Sequence, residues 1–400
     1  MNKVHLRKKY SNLVIVLLLL FPILINSIKV FGNLILLILV ILGIYIAIFE
    51  KKNPFKLPEL KLFSQLTIGY FLVMLLSILI ADGFSTELYH LGRKIHFLFA
   101  PFIALAIFQV DLPLKKLLLS IKVGLIAIGT VVITGPLLGN MTNENIFSDI
   151  AVAMLFLSII QIFSETPKER VITFIAVLMG GYAIFLIGAR GSWLSFLILS
   201  TVYIGLIYKP FIQNNNKVKV SLVLILIVFF GFIGTSSNIK ERVTKAVTEV
   251  QDWNSGKEVW SSNGNRMKMW ESGLSAAKNS PWIGYGYRNE NKAAAVYVSK
   301  NKDWVSVATH LHNEYLTNLV SAGIIGVLSL LTLLFAPLIV FYRKLKDKDT
   351  YYYSVMGILL CVGYITFGFT HIAFGEEHIN AFYIFFMAIL LPKVIKKKSI

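Results

Sequence analysis

Charge is scarce in this sequence. Asp, Glu, Lys and Arg make up 15% of its 400 residues, where a soluble domain carries roughly 25%. So few charges cannot cover the surface of a soluble fold, and the 56% of hydrophobic residues point to lipid as the solvent. Cysteine is almost absent: Cys361 stands alone in an apolar run, which excludes an intrachain disulfide. Acidic residues are outnumbered, 21 against 39 lysines and arginines, for a formal charge of +18. That excess does not point to nucleic acid. Most of the basic residues lie in short clusters between apolar runs, the pattern set by membrane insertion. There is no internal repeat of fixed period and no low-complexity linker. A small-residue cleavage site is also missing after the first apolar run, which follows Lys3, Arg7, Lys8 and Lys9. A second run comes at once, so the first reads as a span and not as a signal peptide.

What the chain has instead is apolar runs of membrane length. A bilayer core needs about 20 apolar residues per helix. The runs 11–28, 31–49, 62–81, 95–109, 114–134, 147–163, 171–188, 192–208, 218–234, 314–342, 351–370 and 378–392 meet this loosely, 95–109 being short. Helices are required, because lipid offers no partner to backbone groups. The expected fold is an all-α polytopic membrane protein, one membrane domain over 1–400 with about twelve spans. With a cytoplasmic N-terminus, the basic clusters at 3–9, 51–61, 115–116, 168–170, 209–219, 343–348 and 393–398 all fall inside. The short outer loops then carry only Lys29, Arg93, Lys94 and Arg190. This contrast predicts both termini inside and the loop 235–311, between the ninth and tenth spans, outside. Lys122, near the inner end of its span, is expected to snorkel.

The loop 235–311 is too long for a connector. It holds Trp253, Trp260, Trp270, Trp282 and Trp304, five of the six tryptophans, so order and short helices are expected in it. Met267, Trp270, Leu274 and Ala277 have helical spacing and predict an amphipathic helix that ends at Asn279-Ser280-Pro281.

The polar residues with chemical promise gather on that same side. Arg190 lies in Gly188-Ala-Arg190-Gly191-Ser192-Trp193, between two spans. It reads either as a helix-end cation or as a guanidinium fork for a diphosphate, with Gly191 allowing close approach. Arg266 opens the loop helix and reads either as a surface charge or as a second phosphate ligand. His310 and His312 stand in Thr309-His310-Leu-His312-Asn313-Glu314, where the loop re-enters the membrane. They could be structural. They could bind a metal together with Glu314, joined by His371, His378, Glu376 or Glu377 from the last outer loop, although no HExxH-like pair is present. Or one could be a general base, oriented by Asn313 or Glu314. Glu376 and Glu377 read as solvated loop charges, since adjacent residues on a helix do not face each other. Gly284-Tyr-Gly286 after Pro281 reads as a turn.

Four features, in this order and spacing, resemble the O-antigen ligase family, which also contains O-antigen polymerases and bacterial protein O-oligosaccharyltransferases. They are Ala189-Arg190-Gly191-Ser192-Trp193; Arg266 with Trp270; Pro281-Trp-Ile-Gly284-Tyr-Gly286; and His310-Leu-His312-Asn313-Glu-Tyr-Leu316 running into Gly323-Ile-Ile-Gly326. The resemblance covers residues 185 to 330 or so. It implies a metal-independent glycosyltransferase of the bacterial inner membrane, without a cofactor, acting on the periplasmic face. The donor implied is a glycan on undecaprenyl diphosphate; the acceptor is lipid A–core or another glycan; membrane lipids surround the site. His312 matches the family's catalytic histidine, and Arg190 and Arg266 its two key arginines. His310, Asn313, Gly191 and Trp270 fall at substrate-binding positions. A transporter or flippase of polyprenyl-linked saccharides is the competing class. It would place polar groups near the bilayer midplane, whereas here they gather at one face.

Overall fold

The computed structural model describes residues 3–28, 30–80, 89–135, 143–207, 237–255, 261–298 and 310–396. Every regular element among them is helical. In chain order these are α1 (Lys3–Leu24), α2 (Phe31–Phe49), α3 (Pro58–Ile80), α4 (Ile95–Phe108), α5 (Leu114–Thr134), α6 (Glu144–Ser158), α7 (Pro167–Ile187) and α8 (Arg190–Ile207). Then come α9 (Ser237–Asn254), α10 (Ser262–Asn279), α11 (Glu290–Ala295), α12 (Glu314–Lys344), α13 (Tyr351–Thr370) and α14 (Glu377–Ile395). Ten helices among the described residues are long and apolar enough to cross a bilayer. The chain is an all-α polytopic membrane protein. α1 carries the first apolar run behind the basic N-terminal cluster. The short run 95–109 is lengthened to a span over Tyr89–Phe108 by a 3-10 turn at Gly92–Lys94. The expected span 218–234 lies outside the described residues.

The last helix is the centre of the fold. Nearly all its side chains from Ile379 to Val394 are buried, and it packs on α2, α3, α4, α6, α12 and α13. A helix apolar all round must be enclosed by others. α7 and α8 lie at the periphery and leave Phe174, Leu178, Leu186, Leu194 and Leu197 exposed for lipid. Small residues allow the helices to meet closely: a Cβ on Gly43 of α2 would lie 1.9 Å from the Phe102 carbonyl oxygen of α4.

Two cations are not where charge patterning places them. Lys122 does not reach the headgroups; its side chain is 6% exposed and paired with Glu165. The Thr173 hydroxyl donates to the other oxygen of Glu165, at 2.6 Å. A local carboxylate thus replaces the headgroup as counter-ion. Replacing Glu165 by Ala strands a buried ammonium and should cost about 3–5 kcal/mol. A Lys122→Met/Glu165→Leu double variant should recover most of it, as read by thermal unfolding in detergent. Lys94 is not a solvated loop cation either. It is 1% exposed and donates to the Phe374 carbonyl at 2.6 Å and the Tyr70 hydroxyl at 3.0 Å.

The segment between α8 and α12 does contain short helices. α10 ends at Asn279 as the sequence predicts, but begins earlier, at Ser262, where the Ser261 hydroxyl accepts from the Gly264 N–H. Its packed face keeps Trp270 and Ala277 of the predicted one but not Leu274. Leu274 is exposed, and Met269, Ser272, Ala276 and Ala277 are buried. The reason is close approach: a Cβ on Gly273 would sit 3.0 Å from Leu316 and 3.1 Å from Leu311. The small-residue face therefore goes inward.

α12 is broken one-third of the way along. Ala322 (φ −134°, ψ 16°) and Gly323 (φ 62°, ψ −158°) leave helical geometry. Helix-breaking frees backbone groups that need partners. Pro281-Trp-Ile-Gly-Tyr-Gly286 supplies them: the Tyr285 N–H donates to Val320, the Gly286 N–H to Ser321, and the Pro281 carbonyl accepts from Ile324, each at 2.8 Å. Gly284 and Gly323 sit at this contact, both at positive φ, where a Cβ would strike the opposing backbone. Two motifs some forty residues apart are thus one structural unit, which presses the loop segment onto the start of α12.

Candidate functional site

Four elements build the site, each fixed by local bonding. α7 ends at Gly188 in the left-handed conformation (φ 70°), the common helix stop. α8 then starts at once, so Arg190 lies exposed at a tight corner. The corner is held by Ser192, whose hydroxyl donates to the Asp149 carboxylate of α6 at 2.6 Å. The Trp193 ring stacks on Phe185 at 5.9 Å. Gly191 has no room for a side chain, because a Cβ would lie 2.2 Å from Thr370 Oγ1. Its role is thus close contact with the end of α13, which brings Arg190 beside the segment that starts at His371.

Arg266 and Trp270 lie one helical turn apart on α10 and so share a face. The Trp270 indole N–H donates to the Leu311 carbonyl at 2.9 Å. That bond ties α10 to the residue between the two histidines. Asn313 caps α12: its side-chain oxygen accepts from the Leu316 N–H at 2.9 Å, and its amide reaches the Phe369 carbonyl at 3.4 Å. His312 has φ 52°, left-handed for a residue with a side chain. The His310 and His312 rings lie 4.1 Å apart.

A third imidazole joins them. His371, between α13 and α14, is 5.3 Å from His310 and 6.3 Å from His312, edge-on to the latter. Its Nε2 lies 3.0 Å from the Asn143 amide nitrogen and its Nδ1 3.1 Å from the Ile372 carbonyl. A neutral ring protonated on Nδ1 satisfies both.

Electrostatics follow from burial beside cations. Burial, and then the charge of Arg190, lower the pKa of the Arg266 guanidinium. Burial, then Arg266, push His312 down to about 4. His371 is also pushed to about 4, chiefly by burial. His310 falls to about 2, by burial and then by His312 and His371. All three imidazoles are uncharged at neutral pH. The electrostatic reach of Arg190 to Arg266, and of Arg266 to His312, puts these three candidates in one neighbourhood with Gly191, Trp270, His310 and Asn313.

One expectation fails. Neither Asn313 nor Glu314 orients His312. Asn313 is spent on the helix cap, and Glu314 faces away. The Glu314 carboxylate accepts from the Phe374 N–H at 3.0 Å, the Asn318 amide at 2.7 Å and the Tyr70 hydroxyl at 3.4 Å. A carboxylate at the start of a buried helix is drawn to the donors within the bundle. Glu376 and Glu377 are not simply solvated: Glu376 pairs with Arg93 at 2.8 Å and Glu377 accepts from Asn33 at 3.0 Å. The carboxylates named for the metal alternative are thus engaged elsewhere. Among the described residues no three His, Cys, Asp or Glu side chains are arranged to hold a metal ion.

Around the first turns of α12 lies a buried polar layer, of which the sequence reading named only Lys94 and Glu314, in other roles. Lys94, Arg288, Glu290, Glu314 and Asn318 line a cavity of about 10 Å³, room for one water. Lys94 and Asp149 carried a usable signal, since ionisable residues in or beside apolar runs mark functional regions. Glu290 carried none.

Residues 174–331 match the family described as O-Antigen ligase. The chain is also similar to an uncharacterized protein of Haemophilus influenzae, 26% identical over 360 residues, covering 85% of this chain and 88% of that protein. His371, Asn143 and Lys94 lie outside the family segment. The segment 174–331, similar to the O-antigen ligase family, holds Arg190, Gly191, Arg266, Trp270, His310, His312 and Asn313.

Proposed function

We propose that this protein transfers a glycan from undecaprenyl diphosphate to an acceptor hydroxyl, by O-antigen ligation to lipid A–core on the periplasmic face of the inner membrane. The observation that carries the reading is the pairing of two arginines, Arg190 and Arg266, with a buried cluster of neutral histidines at one face. The acceptor oxygen attacks the anomeric carbon of the glycan. The bond from that carbon to the phosphate oxygen breaks, and its electron pair stays on the diphosphate. Arg190 and Arg266 stabilise the charge that develops there, usually the largest catalytic contribution. His312 takes the hydroxyl proton. With two guanidinium groups on the diphosphate, the step does not call for a metal.

Replacing Arg190 or Arg266 by Gln should lower kcat by about 10²-fold, the usual loss of one charge-stabilising donor, and weaken donor binding. The assay uses purified protein in nanodiscs with lipid-linked glycan and lipid A–core. Variants that use the donor as well as the wild type would remove the diphosphate site. The same assay separates ligase from polymerase: longer carrier-linked chains without transfer to lipid A–core favour the polymerase, and transfer to a protein hydroxyl favours an O-oligosaccharyltransferase.

A transporter is the reading that the break in α12 favours, because broken spans line many transport sites. Here the freed backbone groups at 320, 321 and 324 are occupied by the 281–286 segment. They are not free to bind cargo.

A further inference from the structure

Among the described residues, the carboxylates of Glu314, Glu290 and Asp149 are committed elsewhere. Glu314 binds Phe374 N–H, Asn318 and Tyr70. Glu290 accepts from Ser321 at 3.1 Å, and Asp149 from Ser192 at 2.6 Å. Among the described residues, neither Arg190 nor Arg266 has an ion-pair partner. Among the described residues, the groups that face His312 are cationic or neutral. They are Arg266 from α10, His310 from its own segment and His371 from the α13–α14 segment. Arg190 acts through Arg266, and Arg288 acts on His310. His312 Nδ1 is buried and meets no hydrogen-bond partner among the described residues. Its backbone is held left-handed, with Leu311 bonded to Trp270 one turn from Arg266. A general base normally has a carboxylate or carbonyl behind it to stabilise the imidazolium. Among the described residues, the charge beside this one is the Arg266 cation.

We propose that Arg266 couples the two substrates: it opposes a proton on His312 while the donor is absent, and the donor's diphosphate, by pairing with Arg266 and Arg190, removes that opposition. The anionic donor is then the counter-charge that the described residues do not supply. This rests on the reading of the site as a diphosphate site. Like charge beside an imidazole lowers its proton affinity, and an anion in the same place raises it. The low pKa of His312 in the unliganded site, set by burial and then by Arg266, agrees with this. In the loaded site the acceptor oxygen bonds to the anomeric carbon, the carbon–oxygen bond to phosphate breaks, and the proton passes to His312. The imidazolium is held by the departing diphosphate and returns its proton to that group or to water. A base of this kind gains strength when the donor is in place.

The test is a titration of His312 by NMR in the full chain, ¹³C-labelled at histidine and held in nanodiscs. The His312 signal is assigned by its loss in His312→Asn. The probe is undecaprenyl diphosphate, with its own binding followed by ³¹P NMR. The expected result is a rise in the His312 apparent pKa of about 1 to 3 pH units on saturation, the range for an opposite charge at contact. In Arg266→Gln the apparent pKa should already be raised without the probe, and the probe should add little. Arg266→Lys, which keeps the charge, should behave as the wild type. If the probe binds the wild type and His312 does not move, the coupling is wrong and the diphosphate site stands. If the probe does not bind, the coupling and the diphosphate site both fall.

Discussion

Replacing His312 by Asn should lower glycan transfer by about 10²–10⁴-fold, the usual contribution of general base catalysis, and leave thermal unfolding unchanged. The choice of Asn follows from the backbone. His312 sits at φ 52°, which Asn tolerates better than most residues with a side chain. An Ala at the same place would add left-handed strain of about 1–2 kcal/mol and mix a structural loss with a chemical one. Among the described residues, His312 Nδ1 meets no hydrogen-bond partner that removal of the ring would strand. On the proposed mechanism the residual rate should come from Arg190 and Arg266, assigned there to the leaving group and not to the hydroxyl. The measurement is single-turnover transfer with donor bound, next to unfolding in the same detergent. An equally stable His312→Asn protein that transfers at the wild-type rate would remove His312 as the base.

Gly323→Ala should destabilise the loop face severely. Two effects add. The backbone at φ 62°, ψ −158° is a region open essentially to glycine alone, at a cost of about 1–3 kcal/mol for other residues. The added Cβ would also lie 2.2 Å from the Trp282 carbonyl carbon and 2.5 Å from the Ile283 nitrogen. Both are backbone atoms, so no rotamer change relieves the clash. Segment 281–286 must move, and its three hydrogen bonds to α12 are lost with it. We expect a marked fall in Tm and at least about a tenfold loss of transfer, given the roughly 1 kcal/mol net worth of each bond. Gly69→Ala is the control. It lies in α3 with nothing within 4 Å of its Cβ, and should be neutral or stabilising by up to about 1 kcal/mol. Equal behaviour of the two variants in thermal unfolding would contradict the role assigned to the break.

These two residues also mark how far the sequence could be read. The spans were legible because lipid forces every apolar run of membrane length into a helix, and even 95–109 follows that rule. Gly323 lies inside such a run and reads as helix. Its left-turning backbone depends on partners at 281–286, and no local pattern carries that. The same holds for Leu274, which has helical spacing but yields the packed face to Gly273 and Ala276, and for Lys122, whose counter-ion is Glu165. In the candidate site, Arg190, Arg266, His310 and His312 stood out because their motifs are short and local. His371 and Asn143, 228 residues apart, meet only in the fold. The side chain of Glu314 was misjudged because its direction is set by Tyr70 and Phe374, far away in sequence.

The most direct test of the account reconstitutes the full chain in proteoliposomes. It supplies a glycan on undecaprenyl diphosphate and lipid A–core from the face that bears residues 261–298, with a chelator present. The account predicts glycan on lipid A–core, one undecaprenyl diphosphate released per transfer, and no dependence on divalent metal. Glycan that stays on its carrier and crosses the bilayer, or transfer that stops when metal is removed, would contradict it.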